Sequence, residues 1–283
     1  MAVRRRTHAV EDAPGWTHGT AEVEGYDVFY RVSHDVPGVA PIVHVHGFAI
    51  SGAYLMPTAQ LLTDRATNLV PDLPGYGRSA RRPDTLGIPA LAHALLVLLD
   101  ALGLGRVVLV GNSMGCPVVL EVAFTAPDRV ERVVLASPAG GVQNQPLLRA
   151  VRQLALDALR EPPGMARVAV PDYLRFGAAG AFRLFAEMTR FPSLERLVRS
   201  PVPALAVIGS RDPFMPPPHR VREVSSLARD RTTVALIRGA AHSMNFTHPG
   251  ELAHVIGSWL DGVEIVDDPD QPGETRVLHI APP

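Results

Sequence analysis

The stretch from Arg106 to Phe124, RVVLVGNSMGCPVVLEVAF, places one polar pair, Asn112-Ser113, between two glycines, with an apolar run ahead and a helix-like run behind. Val107 to Val110 reads as a buried strand and Met114 to Ala126 as a helix. A hydroxyl at the junction of two buried elements needs a partner or a purpose. The pattern G-x-S-x-G between a strand and a helix supplies one. Gly111 and Gly115 carry no Cβ, so the chain can turn sharply while strand and helix approach closely. The turn lifts the Ser113 hydroxyl above the sheet edge and sets the free N–H groups of the helix start beneath any charge forming there. Pro117 fits, because the first helical turn offers no acceptor to its missing N–H. A plain helix cap would need the serine but not the glycines, so Ser113 is the candidate nucleophile.

Outward from this turn the chain keeps the same rhythm. Short apolar strands are predicted at Ile42–Val45, Asn68–Val70, Val133–Ala136, Ala204–Ile208 and Thr233–Ile237. Helical patterns are predicted at Tyr54–Thr63, Pro89–Leu102, His219–Ala228 and Glu251–Leu260. Buried strands alternating with helices give an α/β fold, a doubly wound, mostly parallel sheet covered on both faces. Thr20 to Ser33 alternates around Glu24-Gly25-Tyr26 and predicts an antiparallel hairpin at one edge. Between Pro138 and Pro203 the rhythm stops. PLLRAVRQLALDALR and AGAFRLFAEMTR have helical spacing, punctuated by Pro146, Pro162, Pro163, Pro171 and Pro192. The expected organisation is a flexible arm (1–15), a core (16–137 and 203–261), a helical cap (138–202) and a tail (262–283). In the tail RVLHI has the makings of a short added strand.

Composition narrows the chemistry. Of 283 residues 47% are hydrophobic and 19% charged, enough for one large α/β domain with an insertion. A net charge of −1 gives no pull toward nucleic acid or an anionic membrane, so the expected partner is a small molecule. All 27 basic side chains are arginine, and without lysine neither Schiff-base chemistry nor a P-loop is available. The lone Cys116 excludes intrachain disulfides and reads as a buried filler. No cofactor is expected. MAVRRRTHAVEDAPGW has charge without a following apolar run, and the apolar region from Leu91 to Val110 is broken by Asp100, Gly103, Gly105 and Arg106. A soluble cytoplasmic protein is therefore expected.

A serine hydroxyl needs a base within about 2.6–3.2 Å, itself held by a third group. In a doubly wound sheet reactive groups gather at the carboxyl ends of strands. The last inner strand runs into IRGAAHSMNF and places His242 there; the strand before it runs into VIGSRDPFMP and places Asp212 there. The order Ser113, Asp212, His242 is the one this elbow calls for. His219, His248 and His254 lie in helices or turns, and Asp72, in LVPDLPGYGRS, precedes the serine and suits a turn-stabilising role. An oxyanion needs donors, for which the backbone N–H groups of Met114 and of Phe48, after VHVHG, are placed. His46 is expected to lock that loop through its ring. His44 and His46 share a strand face as a metal pair would, but no third ligand stands out, so no metal is expected.

The chain resembles the α/β-hydrolase superfamily from about Thr20 to Leu260, through HGF, PDLPGYGRS, GNSMG, GSRDP and GAAHS in that order. The resemblance implies a serine hydrolase with a Ser113–Asp212–His242 mechanism, most simply an esterase. GNSMG followed by LASPAGG is also similar to the meta-cleavage-product hydrolases, which split carbon–carbon bonds in ring-fission diketo acids. Those enzymes have a glycine where this chain has Cys116, and a tryptophan soon after the histidine where this chain has HSMNF. An arginine pairs with the substrate acid there, a part Arg190 would have to play. Perhydrolysis and a non-catalytic small-ligand receptor share the fold and remain open. Phe182, Leu184, Phe185 and Met188 of the insertion suggest a hydrophobic pocket.

Overall fold

Alternation within the strands decides the layering. Val43, Val45, Leu109, Val133, Leu135 and Ala206 point to one face of the sheet, while Ile42, Val108, Val110, Val134, Leu205 and Val207 point to the other. Each strand is thus apolar on both sides and has to be covered on both, as expected for parallel strands. The computed structural model describes residues 8–9, 14–138, 152–153, 163–214, 231–266 and 277–279.

Among these, ten strands form one sheet in the order β1-β2-β3-β5-β4-β6-β7-β8-β9-β10. They are β1 (His8–Ala9), β2 (Trp16–Val23), β3 (Tyr26–Ser33), β4 (Ile42–Val45), β5 (Asn68–Pro71), β6 (Val107–Asn112), β7 (Val130–Ala136), β8 (Ala204–Gly209), β9 (Thr232–Ile237) and β10 (Val277–His279). From β5 through β9 every pairing is parallel. The β2–β3 hairpin, turning at Glu24-Gly25, extends one edge antiparallel, and β10 adds to the other through Val277 opposite Ile237. The tail strand foreseen in RVLHI is this one. One face is covered by the helices Ile88–Ala101 and Gly115–Thr125, the other by Pro249–Leu260. No helix among the described residues is long and apolar enough to cross a membrane.

Two expectations need correction. The helix foreseen at Tyr54–Thr63 is a 3-10 turn, Gly52–Leu55, followed by a short α-helix, Met56–Leu61. Pro57 at the start of that helix has no N–H to continue a ladder from the preceding turn, so the helix begins afresh there. Pro171, read as punctuation, lies inside the continuous helix Pro163–Phe176. It is exposed, so water can satisfy the carbonyl that its ring leaves without a donor. Two further helices, Ala178–Arg190 and Ser193–Arg199, complete the described part of the insertion between β7 and β8. Most of PLLRAVRQLALDALR, and all of His219–Ala228, fall outside the described residues, as does most of the N-terminal arm.

Candidate active site

Ser113 follows directly on β6 and adopts the left-handed backbone conformation, φ 54°. Its N–H donates to Ala136 O (3.1 Å) and its carbonyl accepts from Cys116 N–H (3.0 Å), which holds the strained turn in place. The glycine requirement is steric. A Cβ on Gly111 would lie 2.5 Å from Gly115 O, and one on Gly115 would lie 2.2 Å from Val45 O. Cys116 is buried behind the turn, its thiol donating to Gly111 O (3.2 Å). Burial pushes that thiol well above its ordinary pKa and keeps it protonated.

Three loops, after β6, β8 and β9, bring the predicted residues together. Ser113 Oγ lies 2.8 Å from His242 Nε2, and His242 Nδ1 lies 3.0 Å from Asp212 Oδ2. The other oxygen of Asp212 accepts from Phe214 N–H (2.8 Å). Burial alone would raise the Asp212 carboxyl, but the neighbouring His242 ring and the Phe214 amide outweigh it and hold the carboxyl below its ordinary value. Ser137 faces the same carboxylate, yet its Oγ falls outside hydrogen-bonding geometry, so His242 and Phe214 carry the effect. An ionised Asp212 fixes the proton on Nδ1 and leaves Nε2 as an acceptor for the serine hydroxyl.

The loop after β4 packs against Ser113. A Cβ on Gly47 would sit 3.3 Å from Ser113 Cβ. His46 does lock this loop. Its Nε2 accepts from Leu73 N–H (2.9 Å), so the proton is on Nδ1, which donates to Gly47 O (2.9 Å). Burial lowers the pKa of His46 and keeps the ring neutral for this double role. In a trans peptide the N–H points opposite the carbonyl, so tethering Gly47 O to His46 turns Phe48 N–H away from that ring. The amides of Phe48 and Met114 donate to no group among the described residues. Asp72 keeps to its turn and more. It accepts from Arg78 N–H and Gly52 N–H, each at 2.8 Å, and pairs with buried Arg31 at 2.9 Å. His44 donates from Nε2 to Asn68 Oδ1 (2.7 Å), and no cluster of three or more potential metal ligands occurs among the described residues.

The cleft above Ser113 and His242 encloses about 500 Å³ including its open mouth. Its walls are mainly apolar, from Phe48, Ile50, Met165, Phe185, Met188 and Phe214, with Tyr54, Asn112, Tyr173 and Ser243 adding polar groups. No Arg, Asp or Glu lines it among the described residues. Of the insertion residues singled out in the sequence, Phe185 and Met188 line this cleft, and Leu184 packs the insertion onto the core. Phe182 and Arg190 are corrections. Phe182 is 63% exposed and Arg190 is exposed, and neither lines the cleft. Arg190 follows cleft-lining Met188 by two residues, about 200° around the helix, which turns it away, whereas Phe182 stands about one turn before Phe185 and projects to solvent. Sequence reasoning missed Tyr54, Ile50, Met165, Tyr173 and Phe214. Ile50 and Phe214 lie within the loops already singled out, but nothing in their spacing reveals which way they face.

A profile of the alpha/beta hydrolase family matches residues 42–255. An uncharacterized protein of Mycobacterium tuberculosis is 31% identical over 139 residues, 49% of this chain and 40% of that protein. The match thus spans only two fifths of that relative's length. A putative esterase/lipase of Mycoplasma pneumoniae is 24% identical over 213 residues, covering 70% of this chain and 77% of its own. The solved structure of a bromoperoxidase from Bacillus anthracis superposes with a TM-score of 0.73 at 20% identity, over 86% of this chain and 99% of that one. At that identity the likeness is one of fold.

Proposed function

Since this chain belongs to the alpha/beta hydrolase family, we propose that it is a serine hydrolase that cleaves ester-type bonds of small hydrophobic substrates through an acyl-enzyme on Ser113. The observation that carries this is the connected path from Ser113 Oγ through His242 to Asp212. Ser113 attacks the carbonyl while His242 Nε2 takes its proton and passes it to the leaving alcohol. Asp212 stabilises the imidazolium, and the N–H groups of Phe48 and Met114 receive the oxyanion. Water, activated by the same imidazole, then releases the acid. The apolar cleft suits an uncharged acyl or alkyl group. Carbon–carbon cleavage of a diketo acid is disfavoured, because Arg190 is turned away and no other arginine among the described residues lines the cleft.

The test is a fluorophosphonate probe together with a panel of p-nitrophenyl esters of increasing acyl length. Wild type is expected to label and to turn over, and Ser113→Ala to do neither. Labelling that survives in Ser113→Ala overturns the nucleophile. Binding without turnover by wild type makes the protein a receptor.

A further inference from the structure

We propose that Tyr54 and Asn112 are positioning residues that hold the oxyanion loop in register with the nucleophile and the histidine loop. This rests on Ser113 acting as the nucleophile. The Tyr54 hydroxyl accepts from Gly47 N–H (2.8 Å) and donates to Asn112 Oδ1 (2.6 Å). The Asn112 amide then donates from Nδ2 to Ala136 O (3.0 Å) and reaches His242 O (3.4 Å). One buried relay thus ties the loops after β4 and β9 to the ends of β6 and β7. Tyr54, Asn112 and Gly47 are all buried, so the bonds are made without competing water. This is why a polar residue precedes the serine: Asn112 occupies the last position of β6, where a side-chain amide can span to strands and loops on either side.

Two constraints act on Gly47. Tyr54 pins its N–H, and so the peptide before it, while His46 pins its C=O, and so the peptide that carries Phe48 N–H. Together they fix the direction in which Phe48 N–H points. The tyrosine hydroxyl is suited to the task because it accepts and donates at once. Removing it strands a buried donor on Gly47 and a buried acceptor on Asn112. The loop then relaxes to satisfy them, and an oxyanion donor displaced by about 1 Å loses on the order of 10²-fold in rate. The substrate's apolar contacts with the insertion are untouched. The cost therefore falls on the transition state rather than on binding.

The experiment compares wild type, Tyr54→Phe, Asn112→Ala and the double variant on a p-nitrophenyl ester. A trifluoromethyl ketone serves as a probe of the tetrahedral oxyanion. Tyr54→Phe keeps the ring in its cavity and is expected to lower kcat about 10- to 100-fold with KM within about twofold. Ketone affinity should fall by the same factor as kcat/KM. Because both residues act through one relay, the double variant should be no slower than the slower single one. A Tyr54→Phe kcat within about twofold of wild type overturns the proposal, as do losses that multiply in the double variant or a kcat loss with ketone affinity unchanged. Should Asn112→Ala fail to fold, Tyr54→Phe alone decides. A wild type that neither labels with fluorophosphonate nor hydrolyses any ester sinks the nucleophile reading first, and this inference with it.

Discussion

At Ser113 and its flanking glycines the backbone itself carries chemistry. A serine at φ 54° stores strain of about 1–3 kcal/mol, and the two backbone hydrogen bonds around it keep that conformation populated. The neighbouring glycines do different work. Their φ angles are ordinary, and what they supply is room, because Gly115 meets the carbonyls of Val45 and His46 at the end of β4. The Val45 carbonyl belongs to a strand held on both sides and His46 is tied by its ring to Leu73 and Gly47, so neither yields cheaply. Gly115→Ala is expected to destabilise the fold by about 2–3 kcal/mol. It should also slow turnover, since the same strand leads into the Phe48 loop. The measurement is the urea midpoint, with Gly105→Ala as control, where an added Cβ meets nothing within 4 Å. Equal midpoints for the two variants would show that the elbow does not depend on that close approach.

Elements that the chain's own periodicity defines were legible, and elements defined by partners were not. Ile42–Val45 and the strand ends carrying Ser113, Asp212 and His242 follow from apolar runs that stop at loops, and the structure puts those three side chains within hydrogen-bonding reach. The insertion was legible as helical, but the facing of its residues was not. Phe182 and Phe185 look alike in sequence, and only packing against the core separates them. The inserted helix Ala178–Arg190 also makes a contact no local pattern announces. Glu187 Oε1 accepts from Ile88 N–H (2.8 Å), capping the helix Ile88–Ala101 across the interface. Gly87, the N-cap, has no side chain to do this, and a Cβ there would lie 2.4 Å from the same carboxylate oxygen. A charged group at a helix start is favoured by the exposed N–H groups and the helix dipole. Glu187→Ala is expected to cost about 1–2 kcal/mol and to speed amide exchange at Ile88, with Glu187→Gln falling between. Exchange at Ile88 unchanged in the alanine variant would mean that the helix start is satisfied by some other group.

Across the whole molecule, two buried imidazoles on β4 and the loop after it couple folding to pH. His44 Nε2 must carry the proton to reach Asn68 Oδ1, which leaves Nδ1 a buried acceptor with no partner among the described residues. Burial lowers its pKa from 6.5 to about 4, only partly offset by the bond to Asn68. Burial lowers His46 as well. The sign follows from proton counts. Between pH 6.5 and about 4 the unfolded chain binds a proton at position 44 that the folded chain refuses, so acid favours unfolding. Above pH 6.5 both states are neutral there and the dependence vanishes. The loss from His44 alone is about 3 kcal/mol across that window, a large share of the roughly 5–15 kcal/mol that holds a typical domain together. Asp212, held below its ordinary value, acts in the same direction but lower on the scale. Its contribution is intact above the usual carboxylate range and disappears as pH falls through its folded value. Acid unfolding should therefore begin near pH 6, set by the buried imidazoles, before the carboxylates titrate. Urea midpoints measured from pH 7.5 to 4.5 check this against His44→Gln, which has no ring to protonate. The variant's stability should fall less steeply with acid, by up to about 1.4 kcal/mol per pH unit, even if it is weaker at neutral pH. Parallel curves for the two proteins would show that the folded state takes up the proton at His44 as readily as the unfolded chain does.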